Sequence, residues 1–146
     1  MYNNILIPTD GSDGVQDAIE EGIALAKQTD ATVHALYVID NRDYGTVPDA
    51  EWMGLQGALE NAGETAVEAV AERAETAGVE TVTAIEEGTP QDEIVEYANE
   101  KGIDVIVMGT HGRSGVDRFL LGSVTENVIR RSEVPIHVVR ISDSEE

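Results

Sequence analysis

The stretch IDVIVMGTHGRSGVDRFLLGSVTE, Ile103 to Glu126, decides the fold. Ile103-Asp104-Val105-Ile106-Val107-Met108 is almost continuously apolar. That is the pattern of a strand covered on both faces, which belongs in a parallel sheet. Gly109 to Gly122 is a glycine-rich connection. Ser123-Val124-Thr125-Glu126 has the form of a capping box and opens a last helix that runs to about Ser132. A buried strand, a glycine-rich loop and a helix make one βα unit.

The same unit recurs on the N-terminal side. Ile5-Leu6-Ile7, ended by Pro8, reads as a buried strand, and Thr9-Asp10-Gly11-Ser12-Asp13-Gly14 as a turn cluster. Val15, Ala18, Ile19, Gly22, Ile23 and Ala26 then recur at helical spacing, with Asp13 and Gln16 placed to form a capping box. Ala31 to Asp40 is the second strand. Residues 41–57, with Gly45, Pro48, Trp52, Gly54 and Gly57, read as a loop passing into a helix over Leu59 to Ala77, stopped by Gly78. Val79 to Glu86 alternates as an edge strand does. Thr89-Pro90-Gln91-Asp92 starts a helix with a Thr cap and Pro at its first position, ending at Lys101 and Gly102. Pro135 to Ile141 is the fifth strand. The order β-α-β-α-β-α-β-α-β gives a single α/β domain over residues 1–141, a doubly wound, Rossmann-like parallel sheet with helices on both faces. Residues 142–146 form a short, mobile acidic tail. In such sheets ligands bind beyond the carboxyl ends of the strands, where the winding reverses.

Composition narrows the function classes. The chain has 146 residues and no cysteine, so disulfides and thiolate metal sites are excluded. The first residues lack the basic and apolar regions of a signal peptide, and no apolar run approaches the ~20 residues needed to span a bilayer. A cytoplasmic protein is the expectation. Acidic residues number 29 against 9 basic, a formal net charge of -20. Such a surface repels nucleic acid and anionic membranes. Only Lys27 and Lys101 are lysines, and this composition resembles that of proteins from salt-loving microbes.

The chemistry concentrates around Gly109-Thr110-His111-Gly112 and Gly122-Ser123. Glycines let backbone N–H groups approach an anion, and the helix after Ser123 offers first-turn N–H groups with partial positive charge. The spacing is neither that of a P-loop nor of a dinucleotide fingerprint. Asp10 ends the first strand and suits either a nucleotide contact or an Asx-turn. Val38 suits the core or an adenine contact. His111 is a candidate ligand contact, whereas His34 and His137 lie in strands and read as structural. Arg113 is the better phosphate candidate; Arg130 and Arg131 read as compensation at a helix C-terminus. Trp52 reads as packing.

Gly-x2-Gly-x9-Gly-Ser over Gly109 to Ser123 resembles the ATP-binding signature of universal stress proteins. The flanks agree: Ile5 to Ser12, Asp104 to Gly109, and Pro135-Ile136-His137-Val138-Val139. The resemblance implies a five-stranded parallel sheet of order 3-2-1-4-5, similar to adenine-nucleotide α-hydrolases. It implies that Pro8, Thr9, Asp10 and Val38 contact adenine and ribose. Met108, Gly109, His111 and Gly112 would line the ribose and phosphates, and Gly122, Ser123, Val124 and Thr125 would hold the phosphates. It further implies ATP, ADP or AMP as ligand, Mg²⁺ or Mn²⁺ bridging the phosphates, and a homodimer through strand five, Pro135 to Ile141.

Four functions compete. An ATP-binding regulatory module needs only the glycine motif and no catalytic set. A slow ATPase needs a phosphate loop after strand one, which residues 9–14 imitate loosely. A nucleotide-free interaction dimer needs only the fifth strand. A phosphoacceptor receiver domain is rejected, because no lysine follows strand five. Charge gives a first prediction. Like-charge repulsion weakens the fold in dilute buffer, so the melting temperature should rise by several degrees from low to molar KCl; calorimetry showing no change would contradict this.

Overall fold

A computed structural model describes residues 2–41, 47–110 and 122–141. His111, Gly112, Arg113, Arg118, Gly45 and the 142–146 tail lie outside the described residues. The elements run β1 (Asn4–Pro8), a 3₁₀ turn (Asp13–Val15), α1 (Gln16–Thr29), β2 (Thr32–Asp40), α2 (Asp49–Thr76), β3 (Thr81–Gly88), α3 (Pro90–Glu100), β4 (Val105–Gly109), α4 (Ser123–Arg131) and β5 (Ile136–Val139). The five strands form one sheet of order β3-β2-β1-β4-β5, with every pair parallel. This is the doubly wound architecture expected from the alternation of strands and helices.

Side chains alternate across the sheet and divide the core in two. Ile5, Ile7, Val33, Ala35, Tyr37, Ile39, Val105 and Val107 pack under α1 and α2 on one face. Leu6, Leu36, Ile106 and Met108 pack under α3 and α4 on the other. β4 is buried along its whole length, as its unbroken apolar run requires. Gly63 sits against the Tyr37 ring so closely that a Cβ would lie 2.8 Å from Cδ1, so α2 rests on the sheet there without a side chain between.

Three helix starts differ from the sequence expectation. α2 begins at Asp49 rather than near Leu59, so Trp52, Gly54 and Gly57 are helical. Pro48 accepts the first helical bond, from the Trp52 N–H at 2.9 Å, and Asp49 and Glu51 favour the helix N-terminus. The glycines concealed this start. α1 starts at Gln16 behind a 3₁₀ turn over residues 13–15, with Val15 rather than Asp13 at the cap position, and the Gln16 side chain accepts from Arg73 of α2. For α4 the cap is Gly122 and Ser123 is the first helical residue. Thr89 does precede Pro90 of α3, but its side chain makes no capping bond.

Polar groups fasten the amino ends of the central strands. One Asp104 carboxylate oxygen accepts the N–H of Asn3 at 2.8 Å and of Asn4 at 2.9 Å. These bonds hold its carboxyl below the usual carboxylate range. A depressed native pKa gives stability that is present above the ordinary carboxylate range and is lost as pH falls through the native value. Asp104→Asn should therefore cost about 0.5–1 kcal/mol near neutrality, allowing for solvent around the carboxylate. Urea titrations in acid should show the difference shrinking as the wild-type carboxyl protonates; a constant gap across pH would refute the role of the charge.

Candidate functional site

β1 and β4 are neighbours at the centre of the sheet, yet the chain leaving β1 enters α1 on one face and the chain leaving β4 returns in α4 on the other. Their carboxyl ends therefore part and leave a crevice. Pro8, Thr9 and Asp10 form one wall; Met108, Gly109 and Thr110 begin the other.

The β1 wall is held by short-range bonds. Thr9 is buried and its N–H donates to the Leu36 carbonyl at 2.8 Å, prolonging the β1–β2 ladder. Its Oγ1 accepts the Gly11 N–H at 3.2 Å. Asp10 Oδ1 accepts the Ser12 N–H at 2.9 Å, an Asx-turn. This bond sets the angle of the Asp10 side chain. Gly11 has φ +79 and a Cβ there would lie 3.5 Å from Ala66 of α2, so glycine both makes the turn and lets the loop lie against α2. Ser12 was not among the residues singled out from sequence. Its Oγ is buried without a hydrogen-bond partner among the described residues. Its sequence signals are its place in a Gly-Ser-Asp-Gly turn and at the end of the Ile5 to Ser12 flank.

The β4 wall is tied to α4. The Gly122 N–H donates to the Thr110 carbonyl at 2.7 Å, and the Thr110 N–H donates to the Val139 carbonyl at 2.9 Å. Thus the chain leaving at Thr110 and the chain returning at Gly122 are clasped together beside β5. Thr125 is buried and its hydroxyl donates to the Gly109 carbonyl at 2.8 Å. That bond fixes the first turn of α4 against the end of β4. Glu126 N–H makes the first intrahelical bond, to Gly122, so the N–H groups of Ser123, Val124 and Thr125 have no carbonyl within the helix to bond. Ser123 is exposed and Val124 half-buried against the α3–α4 core.

Val38 is half-buried on the α3–α4 face of β2, two residues beyond Leu36, which receives Thr9. Pro8, Thr9, Asp10, Met108, Gly109, Gly122, Ser123, Val124 and Thr125 all lie around the carboxyl ends of β1 and β4. The basic residues of α4 do not. Arg130 pairs with Glu126 at 2.8 Å and Arg131 pairs with Asp92, both on the exposed C-terminal turn. His34 is enclosed by Tyr97 and Asn4 near the opposite end of the sheet, and His137 is exposed near Glu21. Among the described residues no cluster of three or more His, Asp or Glu side chains is arranged to hold a metal ion, and no helix is long and apolar enough to cross a membrane.

The Thr125 bond is testable. Thr125→Val keeps the shape and removes the donor, leaving the buried Gly109 carbonyl unsatisfied. Unfolding in denaturant at molar salt should show a loss of about 1–2 kcal/mol, with Thr125→Ser close to wild type. Equal stabilities of the Val and Ser variants would remove the bond from this account.

Comparison with known proteins follows the same outline. A family model described as the universal stress protein family matches residues 1–140. Universal stress protein MJ0531 of Methanocaldococcus jannaschii is 43% identical over 141 residues, spanning 96% of this chain and 83% of that protein. The solved structure of MJ0577, from the same organism, superposes with a TM-score of 0.89 at 35% identity, over 98% of this chain and 99% of that one. A universal stress protein solved in complex with cAMP has a TM-score of 0.72 at 27% identity, over 97% of this chain and 98% of its own. With a family match that spans nearly its whole length and relatives that share its fold, this chain belongs to the universal stress protein family.

Proposed function

We propose that the protein binds ATP or a related adenine nucleotide in the crevice between β1 and β4 and acts as a regulatory, stress-response module rather than as an enzyme. The observation that carries this reading is the first turn of α4. Its N–H groups are presented beside Gly109 and Thr110 and held there by the Thr125 and Gly122 bonds. A helix N-terminus next to a glycine-bearing strand end suits phosphate oxygens. The purine end would lie toward Asp10 and Val38, and His111, Gly112 and Arg113, outside the described residues, are candidate contacts on the ribose and phosphate side by the family resemblance. Mg²⁺ or Mn²⁺ would be held mainly by phosphate oxygens. The relative solved with cAMP supports an adenine nucleotide as the ligand class.

The protein in this reading works in a salt-rich cytoplasm as a homodimer through β5. That strand is at the sheet edge and Val138 is 36% exposed, which leaves a free strand edge and an apolar side chain for a second copy. Light scattering in molar KCl should return twice the chain mass.

The binding test is direct. Protein purified in high salt is denatured and the released nucleotide identified by mass spectrometry, and stripped protein is titrated with ATP and Mg²⁺ by calorimetry. Saturable binding near one nucleotide per chain is expected, weakened at least tenfold by Gly122→Val, whose side chain intrudes on the anion site. Absence of binding to the stripped wild type would leave an interaction dimer as the function. Steady ATP turnover lost in Ser123→Ala would replace regulation with hydrolysis.

A further inference from the structure

Helix α2 is longer than the sheet it covers. Its 28 residues span about 42 Å at 1.5 Å per residue, whereas the eight residues of β3 span about 26 Å. The excess lies at the start. Every buried residue of α2 falls in its second half, at Gly63, Ala66, Val67, Val70 and Ala74, and none falls in residues 49–62. Because Ala66 meets the Gly11 turn, the first half of α2 rises beyond the carboxyl ends of the strands, on the side where the crevice opens.

This first half has weak internal support. Gly54 and Gly57 sit within the helix, and a Cβ at either would meet nothing within 4 Å. They are therefore not required by close packing, and each lowers helix stability. Met53 is 72% exposed. Trp52 and Leu55 are half-buried, and Leu59 is partly buried against the core. A polar clasp fastens the segment to the sheet. Glu87, near the end of β3, accepts Gln56 Nε2 at 2.6 Å and Asn41 Nδ2 at 3.1 Å. Its carboxylate thereby joins α2 to the ends of both β2 and β3, close to Val38, whose pairing partner Glu86 precedes Glu87.

We infer that residues 49–62 are a flap on the nucleotide crevice, that Glu87 is the positioning residue of its docked state, and that docking and nucleotide binding are coupled. The inference rests on the nucleotide reading above. A segment of low local stability beside a site can be ordered by its ligand, and whatever orders the segment beforehand strengthens binding.

Hydrogen exchange read by mass spectrometry, on the full chain in molar KCl, tests this. Without nucleotide, residues 49–62 should exchange at least tenfold faster than residues 63–76. Glu87→Ala should accelerate exchange in 49–62 roughly three- to tenfold, leave 63–76 unchanged, and red-shift the emission of Trp52. Gly54→Ala with Gly57→Ala should slow exchange in 49–62 by roughly tenfold or more, and this variant keeps the test open if Glu87→Ala folds poorly. ATP with Mg²⁺ should slow exchange in 49–62, and Glu87→Ala should weaken ATP binding severalfold. Uniform exchange along α2 in all three proteins would overturn the flap. ATP binding that leaves 49–62 unchanged would overturn the coupling alone, whereas failure of ATP to bind at all would overturn the coupling together with the nucleotide reading and leave the flap to be judged from the free protein.

Discussion

Parallel strands joined by helices must be connected right-handedly, and in this chain that rule decides where the crevice lies. From β1 the sheet grows in one direction through β2 to β3, and then in the other from β4 to β5. Right-handed connections in one direction place α1 and α2 on one face; reversal places α3 and α4 on the other. β1 and β4 are left adjacent, with their chains departing to opposite sides. Among the described residues no backbone connects across their carboxyl ends, so a gap there is a consequence of the winding. The sheet supplies its two walls.

The two ends of this central pair are treated differently. At the amino ends polar side chains close the structure. Asp104 joins β4 to the start of β1. His34 of β2 lies between Tyr97 of α3 and Asn4 of β1, at 2.8 and 3.1 Å. Asn4 Oδ1 can only accept, so His34 donates from Nε2 and accepts the Tyr97 hydroxyl at Nδ1. Burial, and then the charge of Lys101, push the His34 pKa down, which keeps the ring in this neutral form. At the carboxyl ends the bonds instead shape backbone: Thr9, Asp10 and Thr125 each use a side-chain oxygen to set a nearby main-chain group. The resulting walls are firm and still present N–H groups outward.

Charge makes that backbone arrangement important. A chain of net charge -20 repels a polyphosphate at long range, and salt is needed to screen it. Its described arginines on the helices do not offset this at the crevice. Arg73 is engaged by Gln16 and Glu20, Arg130 by Glu126 and Arg131 by Asp92. In the proposed site the first turn of α4 attracts an anion at short range, where aligned peptide dipoles act independently of the net charge.

Periodicity and turn residues were enough to read the five strands, the four helices and the single sheet, because each element has a regular apolar pattern and most are bounded by glycine or proline. The unbroken run Val105 to Met108 revealed a fully buried strand, and Gly109 with Gly122 and Ser123 marked the proposed anion site. Other features needed three dimensions. The early start of α2 was hidden because Gly54 and Gly57 are poor helix formers, and no packing calls for them, since a Cβ at either would meet nothing within 4 Å. Thr125 looked like one more residue of a phosphate-binding turn, and only packing showed its hydroxyl directed at Gly109. Ser12 ends a flank whose pattern does not show that its hydroxyl is buried, and Glu87 carries no motif; their places depend on the Gly11 turn and on how far α2 extends past β3. Local patterns in a chain record the free energy of forming elements. Which side chains meet across elements depends on where helices cross the sheet and how far they overhang it, and tertiary packing alone determines that.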